Sequence, residues 1–85
     1  MRYIKDIAHP AYKISVYQWN GKYIIKFEVG GVYEQTYKID ETDITNIEEL
    51  DAIIDNDFVR SVSERFKQMH QDFTGSLRRH EILFD

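Results

Sequence analysis

The dipeptide Asn20-Gly21 stands between two runs that alternate apolar and polar residues, and no other feature of the chain constrains its fold as tightly. A two-residue type I′ turn needs positive φ at both central positions, which Asn and Gly tolerate best. Residues 11–19 (Ala-Tyr-Lys-Ile-Ser-Val-Tyr-Gln-Trp) and 22–29 (Lys-Tyr-Ile-Ile-Lys-Phe-Glu-Val) therefore predict a hairpin. Closing it on that turn sets Trp19 opposite Lys22 and fixes every later pair. One face carries Tyr12, Ile14 and Val16 against Val29, Phe27 and Ile25. The other sets Lys13 opposite Glu28 and Ser15 opposite Lys26. Apolar residues meet apolar ones and opposite charges meet, as cross-strand pairing favours, and a slip of one residue would destroy both agreements.

Gly30-Gly31 marks a second turn, and Val32-Tyr33-Glu34-Gln35-Thr36-Tyr37-Lys38-Ile39 alternates again. Keeping Tyr33, Tyr37 and Ile39 on the apolar face requires a loop with an odd number of residues. A loop Val29-Gly30-Gly31, with Gly31 in the left-handed bulge position, meets that need and sets Lys26 opposite Glu34. Residues 2–8 read either as a further strand or as one helical turn, and Pro10 ends both.

The second half has a helical period. Thr45-Asn46-Ile47-Glu48 has the form of a capping box and opens a short helix of about 46–54. A long helix of about 56–79 follows, with Phe58, Val62, Phe66, Met69, Phe73 and Leu77 on one stripe. The expected fold is α+β: a three- or four-stranded antiparallel meander, packed on one face by the long C-terminal helix plus the short one. The tail over 80–85 is apolar yet lies beyond the helix, so it either docks, folds back as an edge strand or frays.

A chain of 85 residues makes one domain at most, because two would each fall below a self-supporting core. Its net charge of −4 argues against nonspecific nucleic-acid binding. The absence of cysteine excludes a disulfide framework and thiol chemistry. No run approaches the ~20 apolar residues of a membrane helix. The N-terminus has an early acid and no apolar h-region, which fits a cytoplasmic location.

Two groups of segments carry a resemblance. His9-Pro10-Ala11-Tyr12-Lys13-Ile14, Tyr17 to Lys26 and Tyr33-Glu34-Gln35-Thr36-Tyr37-Lys38-Ile39 form the first. Arg65-Phe66, Met69-His70 and Asp72-Phe73 form the second. Together they resemble a family of small uncharacterised Bacteroidetes proteins with no assigned activity. The resemblance implies a bacterial, cytoplasmic, single-domain protein and no chemistry.

The sheet face opposite the apolar one holds the most informative cluster: Tyr17, Trp19 and Ile24. Such residues on a solvated face point to an interaction surface, for a second copy or another protein, unless the N-terminal segment or the tail covers them. A competing site for a small ligand is the seam between sheet and helix, with Tyr33, Tyr37 and His70 as polar handles. No nucleophile, base and charge stabiliser occur together, so no catalytic residue is assigned and the chain does not read as an enzyme. His9, His70 and His80 show no ligand spacing, so no metal or cofactor is expected. His70 reads as a hydrogen-bonded boundary residue, and the other two as solvated. The acids between Asp40 and Asp57 lack the glycine of a calcium loop and suit helix N-termini, or a docking patch for a basic partner. Lys13, Lys22 and Lys26 share the aromatic face, but Glu28 and Glu34 interleave with them, so single-stranded nucleic acid ranks last.

Overall fold

The computed structural model describes residues 1–82. Its elements are β1 (Arg2–Ile7), β2 (Lys13–Trp19), β3 (Lys22–Val29), β4 (Tyr33–Asp40), a 3-10 turn (Glu41–Asp43), α1 (Glu49–Ile53) and α2 (Asn56–Arg79). The class is α+β, with a four-stranded antiparallel sheet in the order β1-β2-β3-β4 followed by a short and a long helix. The chain divides into two units, Met1–Asp55 and one that begins at Asn56.

Between β2 and β3 the register is the one that the turn dictates, with Lys13 opposite Glu28, Ser15 opposite Lys26 and Trp19 opposite Lys22. Asn20 and Gly21 have φ of 55° and 74°, the left-handed pair a type I′ turn requires. Residues 2–7 form a strand, not a helical turn, and β1 pairs with β2 with a register shift between Tyr3 and Lys5.

The β3–β4 register differs from the expected one by two residues. Lys26 lies opposite Thr36, not Glu34, and Glu28 faces Glu34. The cause is the position of the loop. The Val32 amide donates to the Val29 carbonyl at 3.2 Å, so the turn is centred on Gly30 and Gly31, and Val29 joins the ladder opposite Tyr33. A shift of two preserves parity, so Tyr33, Tyr37 and Ile39 keep the face of Ile25 and Phe27.

Ile14, Val16, Ile25 and Phe27 are the buried residues of that apolar face. Tyr12 and Tyr37 stand edge-on to Phe27, with ring centroids 6.5 and 6.0 Å away. Leu50 of α1 is fully buried. The Lys5 ammonium, on the side of Val16, donates to the Asp51 carboxylate at 2.5 Å and ties α1 to β1.

The short helix is shorter than the expected 46–54, and Glu48 makes no side-chain cap. The carboxylate that satisfies the free amides belongs to Glu49, which accepts from the Thr45 and Asn46 N–H groups at 3.0 and 3.3 Å. Residues 46–51 are joined by tight i to i+3 bonds, from the Glu49 amide to the Asn46 carbonyl onward, and this delays the helix start and moves its cap by one residue.

The long helix has its expected bounds. Val62 and Phe66 of its apolar stripe are buried, Phe58, Met69 and Leu77 are half-buried, and Phe73 is exposed. A Schellman motif ends it: the Ile82 amide donates to the Leu77 carbonyl at 2.9 Å, and the Glu81 amide to the Arg78 carbonyl at 3.1 Å. Ile82 is exposed. The rest of the tail reading falls on Leu83, Phe84 and Asp85, which lie outside the described residues.

Candidate interaction surface

Alternation along β2 and β3 puts Tyr17, Trp19 and Ile24 on the face opposite Phe27. Tyr17 lies across the ladder from Ile24, and Trp19 from Lys22. β1 adds a residue that the sequence reading missed. Tyr3 is paired with Tyr17, and the two rings meet edge to face with centroids 5.9 Å apart and planes at 69°. The N-terminal segment therefore lies beside the aromatic cluster as a further strand and enlarges it. The signal for Tyr3 was Pro10: a strand that stops before it and runs back along β2 brings Tyr3 level with Tyr17.

Trp19 and Tyr3 are 54% and 56% exposed, and Tyr17 is half-buried. Ile24 is only 6% exposed, so it forms the floor of the cluster and does not present a surface of its own. Its ladder neighbours are Tyr17 and Lys38, and Lys22 and Lys26 flank it along β3. The aliphatic stems of such lysines shade apolar surface while their ammonium groups stay in water.

Two lysines of this face have carboxylate partners within the chain. The Lys26 ammonium lies 3.1 Å from the Glu28 carboxylate and 5.6 Å from the centre of the Tyr17 ring. The hydrogen bond to Glu28, together with its charge, holds Lys26 above its ordinary pKa. Lys22 is bonded to Asp40. Partial burial raises the Tyr3 phenol, and a hydrogen bond with Asp6 adds to the rise. Two lysines that could face a phosphate backbone are thus already engaged by carboxylates.

The residues of the alternative ligand site are placed as follows. Tyr33 and Tyr37 lie half-buried on one face of β4, and the Tyr37 hydroxyl donates to the Gln35 side chain at 2.5 Å. His70 is an exposed residue of α2 in the other unit. His9 is half-buried, contrary to its expected solvation; its ring stacks on Tyr12 at 5.3 Å and its Nδ1 accepts from the Ala11 amide at 3.1 Å. Within the acidic run, Glu41 accepts from the Gln18 amide, Asp51 pairs with Lys5 and Glu49 caps α1. Among the described residues, no group of three or more His, Cys, Asp or Glu could hold a metal ion. No helix among them is long and apolar enough to cross a membrane.

No family model, curated protein or solved structure matches this chain.

Proposed function

We propose that the chain is a non-enzymatic protein-interaction module that binds an apolar or aromatic segment of another protein on the Tyr3/Tyr17/Trp19 face. The observation that carries this reading is that two large aromatic residues, Tyr3 and Trp19, are each more than half exposed on one sheet face, with Tyr3 set edge to face against the half-buried Tyr17. Large aromatic groups anchored on a rigid sheet lose little entropy on binding and dominate the energetics of protein interfaces. A small-ligand site at Tyr33, Tyr37 and His70 has less support, since the Tyr37 hydroxyl is already engaged by Gln35. Single-stranded nucleic acid is disfavoured by the carboxylate partners of Lys22 and Lys26.

A displayed random-peptide library tests the proposal. Peptides rich in aromatic and aliphatic residues should enrich on the native chain and be lost on a folded Trp19→Ser variant. Equal enrichment on both proteins would overturn it.

A further inference from the structure

The β4 edge has features of a strand built to accept another strand. It runs eight residues, Tyr33–Asp40, in unbroken register with β3, and contains neither proline nor bulge. The opposite edge, β1, is shorter and carries a register shift between Tyr3 and Lys5, a device that discourages further pairing. Among the described residues, β4 has no strand on its outer side.

Backbone direction follows from one hydrogen bond. The Glu41 amide donates to the Gly21 carbonyl at 3.0 Å. Antiparallel ladders alternate, so Ile39, Tyr37, Gln35 and Tyr33 turn their amides towards β3. Asp40, Lys38, Thr36 and Glu34 then turn theirs outward, and all four are exposed.

We infer that this edge pairs with the same edge of a second copy, antiparallel, about a two-fold axis at Thr36. Charge complementarity selects the occupant and the register. With Thr36 opposite itself, Glu34 falls opposite Lys38 of the second copy, and by symmetry Lys38 falls opposite Glu34. On the other face Tyr33 meets Ile39, and Gln35 meets Tyr37. A shift of two in one direction sets Glu34 against Asp40, a like-charge pair, and in the other direction sets Glu34 against Thr36 with no ion pair. Of these three registers only the one centred on Thr36 sets opposite charges against each other. Pairing would join the two sheets into one and leave Tyr3 and Trp19 free, so the inference is independent of the aromatic binding face.

Sedimentation of the full chain at low and high concentration tests it. The native chain should be a dimer at high concentration. Glu34→Lys and Lys38→Glu each turn both symmetric ion pairs into repulsions, and each should weaken the dimer on the order of tenfold. The double variant Glu34→Lys/Lys38→Glu restores both pairs and should dimerise as the native chain does. Thr36→Pro removes an outward amide and should give a monomer with an unchanged circular dichroism spectrum; it decides the matter where a charge variant fails to fold. Trp19→Ser should dimerise normally. A native chain that stays monomeric, a dimer indifferent to these edge variants, or a dimer abolished by Trp19→Ser would each overturn the inference.

Discussion

Tyr3 of β1 stands directly across the ladder from Tyr17 of β2, ring edge to ring face, with centroids 5.9 Å apart. Two strands joined by a connection containing Pro10 are thereby fastened at their far ends. Edge-to-face aromatic pairs are worth about 0.5–1.5 kcal/mol beyond the area they bury. A double-mutant cycle with Tyr3→Leu and Tyr17→Leu should return a coupling in that range in urea unfolding. A coupling near zero would mean the rings meet without mutual preference.

Leu50 and Ile53 belong to the same five-residue helix, yet Leu50 is fully buried and Ile53 is 43% exposed. Truncating a buried leucine removes its transfer free energy and leaves a cavity. Leu50→Ala should therefore cost about 2–5 kcal/mol, whereas Ile53→Ala should cost well under half as much. The comparison of urea midpoints tests whether α1 is held by one anchor. Equal losses would show that the helix is loosely seated.

How much of this was legible in the sequence depended on how local each determinant was. Asn20-Gly21 dictates backbone angles at the turn itself, so the β2–β3 register followed without further knowledge. Gly30-Gly31 leaves open where the loop begins, because either glycine can take the left-handed position; in the fold both do, and the register moved by two. Parity survived the shift, which is why the faces of Tyr33 and Tyr37 were still assigned correctly. The α2 stripe depends on a period sustained over many residues, and its bounds were readable. Tyr17 and Trp19 followed from the hairpin. Tyr3 did not, because the identity of β1 as a strand is decided by pairing with β2, a contact distant in sequence. The burial of Ile24 was hidden for a similar reason: alternation gives the face of a side chain but not its surroundings, and the ladder neighbours of Ile24, Tyr17 and Lys38, lie on two other strands.

The Lys26 ammonium is held above its ordinary pKa of 10.5, first by its hydrogen bond to Glu28 and then by that group's charge. The Tyr3 phenol is likewise held above 10.0, by partial burial and then by Asp6. In both cases the folded chain keeps its proton more tightly than the unfolded chain. Their contribution to stability is complete below the unfolded values and is lost as pH rises through the folded ones. Stability from these groups should thus be level from neutrality to about pH 10 and then fall. Lys26→Gln should flatten part of that alkaline fall, as should Glu28→Gln. A series of urea midpoints at increasing pH reads the effect, and a Lys26→Gln profile parallel to the native one would count against the ion pair.

The C-terminal end of α2 carries two local costs that substitution should relieve. Gly75 sits inside the helix, where glycine is less favourable than alanine by about 0.5–1 kcal/mol. Among the described residues, the side-chain contact a Cβ there would make is with the end of Arg79 at 3.5 Å, an ordinary distance. Glu81 occupies the left-handed position of the Schellman motif, with φ of 60°, a place that suits glycine. Left-handed backbone costs an L residue roughly 1–2 kcal/mol, partly offset by the greater freedom of glycine in the unfolded chain. Gly75→Ala and Glu81→Gly should each raise the thermal midpoint of helix loss, followed by circular dichroism. The gains should add, because one acts on the helix interior and the other on its cap. Gly75→Gln, which is also a good helix former, should stabilise similarly if propensity is the cause. Stabilisation by alanine alone would point instead to a limit on side-chain size at position 75.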